Sequence, residues 1–240
     1  MQTYLWTCII IFLASFIKGL SGFAALLIAI PLLSLFLDIK TVVPLATLVS
    51  FSVSLLLLID LRKHLDLKKI YPFLIGVVPG IPLGVYLLKK LDSNVILFSL
   101  GVVLIAYSLF SLFSKPIKKG IAGKWAYPFG LVAGCLGGGL SLYGPVIIVY
   151  TSLQGWNKDE IKVSMQGFFL ISAAIVIIFH AANGLTGITV LSLFGISLPG
   201  MFIGNYLGSH FYGMLKEAHY RKVILVLLGL LGALMIYRNL

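Results

Sequence analysis

Ten apolar segments follow one another along this chain of 240 residues, with only short polar links between them. They cover residues 4–17, 22–37, 41–60, 70–89, 92–113, 122–136, 141–153, 160–181, 186–211 and 218–238. A hydrocarbon core of about 30 Å needs roughly 20 apolar residues per spanning helix. In lipid every backbone polar group must be satisfied within its own segment, and the alternation typical of barrel strands is missing. We therefore expect an all-α polytopic membrane protein.

The composition excludes a water-soluble globule. Hydrophobic residues make up 60% of the chain, charged residues only 10%, and the mean hydropathy is +1.10. The formal net charge of +11 would indicate nucleic acid in a soluble protein, but in a membrane protein it marks cytoplasmic loops, so no nucleic-acid partner is expected. Cys8 and Cys135 lie in apolar runs without metal-site spacing, so we expect no disulfide, metal or cofactor. The N-terminus lacks the positive charge of a secretory signal, so the first segment should be retained.

Two stretches do not fit simple spanning. Residues 4–37 would form a helix of about 51 Å, yet Lys18-Gly19-Leu20-Ser21-Gly22 interrupts them. The stretch 122–153 is interrupted in the same way by the glycine-rich residues 134–141. Short, glycine-interrupted segments at corresponding places in two halves point to a transporter-type binding site.

The two halves do correspond. Pro79-Gly80 and Pro199-Gly200 lie 120 residues apart, and each is followed by Gly, Tyr and Leu at the same spacing. The glycine-rich breaks recur about half a chain apart as well. We predict two membrane repeats, 1–117 and 118–240, each a broken, re-entrant-like helical hairpin followed by three transmembrane helices.

Loop charges select the topology. If each break is the tip of a hairpin that does not cross, thirteen cations lie on one face of the membrane and four on the other. If each broken stretch instead crosses once, the chain has eight spans and the cations divide nine to eight. The thirteen are Arg62, Lys63, Lys68, Lys69, Lys115, Lys118, Lys119, Lys124, Lys158, Lys162, Lys216, Arg221 and Lys222, and the four are Lys40, Lys89, Lys90 and Arg238. Positive loops mark the cytoplasm, so we expect hairpins and both termini outside. Each half then crosses an odd number of times, and the repeats are inverted.

The break beginning at Gly19 has a second copy, Gly137-Gly138-Gly139 with Pro145, and the hydropathy profile consists of two sets of four hydrophobic stretches. On these features and on its length, the chain resembles the TauE/SafE sulfite exporter family of bacterial inner-membrane proteins. The resemblance covers the whole chain. It implies secondary transport, without ATP hydrolysis, of small sulfur-containing anions such as sulfite, sulfoacetate or other organosulfonates, with export as the expected direction. The partners implied are a small anion and the lipid bilayer.

The breaks also predict an anion site on physical grounds. Half-helices starting near Gly22 and Gly139 would point unpaired N–H groups and the positive end of the helix dipole at the tips. An inverted repeat would bring both tips to one site near the membrane midplane. Glycine lets a ligand approach the backbone, while Ser21 and Ser141 can add hydroxyl donors. The alternative is that these glycines only let helices cross closely.

Other polar residues within the membrane complete the candidate set. Lys18 is either the counter-charge for an anion or a side chain that extends to the cytoplasmic interface. Thr47, Gln166 and Asn205 either face the site or form interhelical hydrogen bonds. His180 lies near the end of its segment and is expected at the interface. The predicted substrate-binding set is Lys18, Gly19, Ser21, Gly22, Thr47, Gly137, Gly138, Gly139, Ser141, Gln166 and Asn205.

Two glycine stripes predict close helix packing. Gly76, Gly80 and Gly84 form one stripe, and Gly200, Gly204 and Gly208 form the other. Their spacing allows close backbone contact, which we expect within the chain between the paired repeat helices. A second subunit is the alternative partner, so a homodimer stays open.

Alternative functions remain open at this point. Paired re-entrant hairpins also build channels. Gly19-Leu20-Ser21-Gly22 matches the short GxSG motif of rhomboid intramembrane proteases, although the rest of that family's pattern is missing. All seven acidic residues lie in loops or at helix ends, which disfavours a carboxylate proton relay, and no Walker motif is present. We expect a transporter rather than an enzyme, with proton coupling through a histidine or through the substrate left open.

Overall fold

The computed structural model describes residues 2–61, 67–113, 122–154, 158–211 and 217–239, and within these ranges it contains ten α-helices. The boundary predicted between residues 117 and 118 lies outside them, as do Arg62, Lys63, Lys115, Lys118, Lys119 and Lys216. The helices are α1 (Gln2–Ser21), α2 (Ala25–Leu33), α3 (Ile39–Leu61), α4 (Leu67–Lys90), α5 (Ser93–Phe113), α6 (Ala126–Leu140), α7 (Gly144–Ser152), α8 (Lys158–Ala182), α9 (Ile188–His210) and α10 (Glu217–Arg238).

All ten predicted segments are helical, which confirms the all-α expectation. Within the described residues, six helices are long and apolar enough to cross a membrane: α1, α3, α4, α5, α8 and α9. By contrast, α2 and α7 have 9 residues each, a rise of about 13 Å, and are too short to cross alone. The chain is therefore a multi-pass membrane protein with two short helices that directly follow its breaks.

The chain divides into two compact units. The first unit comprises Met1–Ala46, Leu91–Lys115 and Ile188–Leu240, and the second comprises Thr47–Lys90 and Pro116–Gly187. Each unit contains one break and one closely packed helix pair, α1 with α9 in the first unit and α4 with α6 in the second. Each pair joins a helix from one half of the sequence to a helix from the other half.

Backbone contact between α1 and α9 organises the first unit. A Cβ atom added to Gly204 would overlap the carbonyl oxygen of Phe12, and one added to Gly208 would overlap that of Phe16. A Cβ on Gly19 would lie 2.6 Å from the Asn205 carbonyl oxygen. Residue numbers rise together along both helices, so α1 and α9 are parallel.

The pair α4 and α6 repeats this arrangement in the second unit. Cβ atoms on Gly76, Gly80 and Gly84 would overlap backbone carbonyl oxygens of α6, in turn those of Tyr127, Leu131 and Cys135. Both stripes therefore pack within the chain, as expected. Each packs on the first helix of the opposite half, whereas the matching stripe was the expected partner.

The backbone contacts also give a different register for the predicted repeat. Phe12 and Leu131 lie 119 residues apart, but the glycines that meet them, Gly204 and Gly80, lie 124 apart. The Pro-Gly motif recurs at 120 residues, which is one helical turn from this correspondence. A stripe with glycine at every fourth position can be aligned in two registers, and the backbone contacts select between them.

Both breaks reverse the direction of the chain. Thr3 and Trp6, near the start of α1, line a groove together with Leu35 and Phe36, which follow α2. The rings of Phe129, early in α6, and Tyr150, late in α7, lie 5.7 Å apart. The helices on either side of each break therefore form antiparallel hairpins.

Helices α5 and α10 pack antiparallel in the first unit. The Ser108 hydroxyl donates a 2.7 Å hydrogen bond to the Leu225 carbonyl, while a Cβ on Gly101 would lie 2.7 Å from the Gly232 carbonyl oxygen. In the eight-span topology, three crossings lie between α5 and α10, so the two helices would be parallel. Antiparallel packing agrees with hairpins that do not cross.

We predict that the glycine stripe of α4 does not tolerate a methyl group. Gly84→Ala should destabilise the protein by about 1–3 kcal/mol, because the added Cβ must displace the Cys135 carbonyl. This should lower the midpoint of thermal unfolding in detergent by at least about 3 °C.

Gly195→Ala is the matched control, because nothing lies within 4 Å of a Cβ at that helical position. It should leave the midpoint unchanged or raise it, since alanine favours helix over glycine. Gly200→Ala should also be tolerated, because its nearest contact is 3.4 Å. Equal midpoints for Gly84→Ala and Gly195→Ala would contradict the close packing.

Candidate functional site

The first break occupies residues 22–24, between α1 and α2. Helix α1 continues through Ser21, so Lys18 and Gly19 lie in its last turn rather than in the break. Gly22 has φ 86°, a left-handed conformation that glycine adopts easily, and its N–H donates a 2.6 Å hydrogen bond to the Lys18 carbonyl. Helix α2 begins at Ala25, three residues later than the predicted start at Gly22.

The Ser21 hydroxyl joins the two sides of this break. It donates to the Ile17 carbonyl at 2.7 Å and accepts from the N–H groups of Phe23 and Ala24 at 3.4 and 3.3 Å. Its one proton is therefore engaged with the backbone of α1, an arrangement that supports neither a ligand donor nor a protease nucleophile. A role for Ser21 in binding stays a prediction.

Lys18 is buried in the first unit. Its side chain is 2% exposed, so the alternative in which it extends to the cytoplasmic interface is wrong. The residue lies in the last turn of α1, where the negative end of the helix dipole favours a cation. A buried cation in a membrane segment marks a functional site by default.

Polar groups of α9 lie against the end of α1. A Cβ on Gly19 would lie 2.6 Å from the Asn205 carbonyl oxygen and 2.7 Å from the Ser209 nitrogen, so residues 205–209 face the last turn of α1. Asn205 is 7% exposed. Within the described residues, the Asn205 Oδ1 and Ser209 Oγ atoms are buried without a hydrogen-bond partner. Ser209 was not among the predicted site residues, although its position four residues after Asn205 places both on one helix face.

The second break is shorter than predicted. Helix α6 continues through Leu140, so Gly137, Gly138 and Gly139 are helical, and the break comprises only residues 141–143. Helix α7 begins at Gly144, which corrects the predicted start near Gly139.

The contacts of the three glycines explain this difference. A Cβ on Gly138 would overlap the Ile81 carbonyl, one on Gly139 would lie 3.1 Å from the Gly84 carbonyl, and one on Gly137 would overlap the ring of Tyr143. Because glycine has no side chain, α6 can pack closely here while it stays helical, which is the alternative stated in the sequence analysis. A further role for them in substrate binding stays a prediction.

Ser141 ends α6 in an unusual conformation. Its φ is 53°, and within the described residues it is the one non-glycine residue with positive φ. The Ser141 N–H donates to the Gly137 carbonyl at 2.9 Å, and the Leu142 N–H donates to that of Leu136 at 3.2 Å, which closes the helix end. The Ser141 hydroxyl is hydrogen-bonded to the hydroxyl of Thr47 on α3. Thr47 therefore forms an interhelical hydrogen bond at the second break, which is one of the two alternatives predicted for it, and its role in substrate binding stays a prediction.

Tyr143, the last residue of this break, packs against α8. Its ring lies 6.0 Å from that of Phe168 and 6.3 Å from that of Phe169, both on α8. The Tyr143 hydroxyl is buried without a hydrogen-bond partner among the described residues. Gln166 is also buried on α8, two residues before Phe168. Only the break itself could have indicated Tyr143, because its sequence neighbours carry no polar motif.

His180 lies in the interior, which corrects the expectation of an interfacial residue. The side chain is 0% exposed, and its Nε2 atom lies 2.9 Å from the Gly138 carbonyl oxygen. Its position near the end of α8 suggested exposure, but α6 ends beside it and covers it.

Long apolar helices, two hairpin breaks and buried polar groups beside those breaks are the architecture of a multi-pass membrane transporter. The chain belongs to the sulfite exporter TauE/SafE family, whose sequence profile matches residues 7–235. It is similar to a probable sulfite/organosulfonate exporter TauE from Cupriavidus necator, with 25% identity over 203 residues that cover 82% of this chain and 79% of that protein. No solved structure matches the chain. The family is one of membrane transporters rather than enzymes, and the protein is a multi-pass protein of the cell membrane.

We predict that the backbone strain at Ser141 can be separated from its hydrogen bond to Thr47. Ser141→Ala loses the bond and keeps a left-handed non-glycine residue, whereas Ser141→Gly loses the bond and relieves the strain. The glycine variant should be the more stable by about 1 kcal/mol, or about 2–4 °C in the unfolding midpoint. An alanine variant as stable as the glycine variant would contradict a strained Ser141.

Proposed function

We propose that this protein is a secondary transporter that exports small sulfur-containing anions such as sulfite, sulfoacetate or another organosulfonate. Membership of the sulfite exporter TauE/SafE family and the similarity to a probable sulfite/organosulfonate exporter support this substrate class. The structural observation that carries the proposal is the burial of Lys18 in the last turn before the first break. An anion is the natural partner of a cation held there.

The donors around each break suit an oxyanion. Sulfite and sulfonate groups present several oxygen acceptors, and the first N–H groups of α2 and α7 have no partner within their own helices. In the first unit, Lys18 adds an ammonium group, and Asn205 and Ser209, whose backbone lies against Gly19, carry buried polar side chains. That the two breaks together form one site near the midplane stays a prediction of the sequence.

We also propose that the chain consists of two inverted repeats with both termini outside. The reversal of direction at both breaks and the antiparallel packing of α5 with α10 support it, as does the excess of cations on one set of loops. Helix pairs α1 with α9 and α4 with α6, which correspond under such a repeat, add further support.

Cysteine labelling tests this topology. In a chain with Cys8 and Cys135 replaced by alanine, Gln2→Cys and Asn239→Cys should react with a membrane-impermeant maleimide in intact cells. Lys124→Cys is the cytoplasmic control and should react only after the membrane is permeabilised. The reverse pattern, or labelling of the two termini from opposite sides, would overturn the proposal.

Counterflow in proteoliposomes tests the function. Vesicles loaded with sulfite, sulfoacetate, taurine, thiosulfate or sulfate should show saturable uptake of labelled sulfite or organosulfonate against a matching internal anion. Failure of every anion to move would refute the substrate class. Flux that does not saturate and shows no counterflow would identify a channel instead.

The same assay measures the contribution of Lys18. Lys18→Met removes a charged hydrogen-bond donor, so the apparent affinity for the anion should fall about 10- to 100-fold. Lys18→Arg keeps the charge and should retain more of the affinity. Lys124→Met is the control, because Lys124 is exposed, and it should match the wild type. Unchanged affinity in a folded Lys18→Met protein would remove Lys18 from the site.

A further inference from the structure

His180 is a buried titratable group that the proposed anion site does not use. It lies on α8 in the second unit, is 0% exposed, and has its Nε2 atom 2.9 Å from the Gly138 carbonyl oxygen. Because a carbonyl can only accept, Nε2 carries the proton in this bond. The other ring nitrogen, Nδ1, is buried without a hydrogen-bond partner among the described residues. One ring nitrogen is therefore held by a hydrogen bond, and the other can still form one.

The hydrogen bond from Nε2 goes to the C-terminal end of α6, the helix that precedes the second break. Gly138 supplies one of the last carbonyls of α6, which have no partner within the helix. Its neighbours are closed by the chain itself, Gly137 by the Ser141 N–H and Leu136 by the Leu142 N–H. The imidazole completes this set three residues before Ser141. It also lies at the negative end of the α6 dipole, which favours a protonated histidine.

Protonation would change what the imidazole can bind. With Nδ1 unprotonated, its lone pair faces the interior and repels an anion. With Nδ1 protonated, the ring is a buried cation with a second donor, and a buried cation needs a counter-charge. An anion at the second break supplies that charge, so each ligand should increase the affinity for the other.

The two halves differ in the basic side chain that lies next to the break. The position that corresponds to Lys18, 119 residues later, is Gly137. The first unit therefore has a lysine in the last turn before its break, whereas the second has none there and instead receives His180 from α8. Lysine holds a permanent charge in water, while histidine changes charge near neutral pH.

The other ionisable groups near this end of α6 leave His180 as the one suited to proton exchange. Helices α4 and α6 pack against α8. On α4, the groups beyond Val85 are Tyr86, Lys89 and Lys90, all of which are exposed. Cys135 of α6 is half-buried, and Tyr143 in the break is buried. The cysteine and tyrosine are neutral near pH 7 in their ordinary state.

From this geometry we propose that His180 binds a proton together with the transported anion, so that the protein moves one proton with each anion. The inference rests on the proposed function. The proton comes from water on one side, is held at Nδ1 while the anion is bound, and returns to water on the other side. A monovalent anion carried in this way moves no net charge, so the membrane potential does not drive transport. Export then follows the outward concentration gradient of the anion, and the pH gradient adds to this driving force or opposes it.

Methanesulfonate is the probe for this test, because a sulfonate stays charged at every pH used and any coupled proton must bind to the protein. In wild-type proteoliposomes, methanesulfonate should accumulate on the alkaline side of the membrane, about tenfold for each unit of pH difference. An imposed potential of 100 mV should have little effect. His180→Gln can keep a donor to the Gly138 carbonyl but cannot titrate. In this variant the potential should accumulate the anion up to about 50-fold, and the pH gradient should have no effect.

His210→Gln is the matched control, because His210 lies exposed on α9, and it should behave as the wild type. The unfolding midpoint of His180→Gln confirms that the variant is folded, and His180→Asn provides a second neutral variant if it is not. Accumulation driven by the potential in the wild type, or by the pH gradient in His180→Gln, would overturn the inference alone. If neither methanesulfonate nor any anion of the counterflow panel moves, the proposed function fails and the inference fails with it.

Discussion

Where a helix ends inside a protein, the backbone groups that the helix no longer pairs must find other partners. The rest of this structure depends on how that requirement is met at the two breaks. At the first, Gly22 returns its N–H to the Lys18 carbonyl, and the Ser21 hydroxyl spans the turn. At the second, Ser141, Leu142 and His180 each close one carbonyl of α6. Of these groups, the His180 side chain keeps a second polar atom, Nδ1, without a hydrogen-bond partner among the described residues.

Close backbone packing holds the breaks in position. Lipid tails compete equally for apolar side chains, so helices in a membrane associate by van der Waals contact and hydrogen bonding rather than by the hydrophobic effect. Glycine stripes on α4 and α9 let each of these helices lie directly on the backbone of α6 or α1. The same contacts reach Gly19 and Gly138, next to the breaks. A shift of α4 or α9 would therefore be transmitted to the residues around the breaks.

Hydropathy and charge were sufficient to predict the ten helices, and the chain reversals seen at the breaks agree with the hairpins that the loop charges favoured. The limits of the second break were not predictable, because Gly137, Gly138 and Gly139 suit a broken helix and a closely packed one equally well. Only the neighbours Ile81, Gly84 and Tyr143 distinguish the two. His180 was misplaced for a similar reason, since its position along α8 does not reveal that α6 ends beside it. Lys18 was recognised because a charge within an apolar run is visible without any knowledge of packing.

The exchange of partners between the halves has a consequence for how the chain is made. Helix α1 leaves the ribosome long before its packing partner α9, which begins only at Ile188. At 5–20 residues per second, α1 waits roughly 10–30 s in the bilayer before that partner emerges. During this interval Gly19 and Lys18 lack the packing partner that they have in the finished protein. The insertion machinery must therefore accept a helix whose least lipid-compatible residues acquire their final surroundings only after α9 has been made.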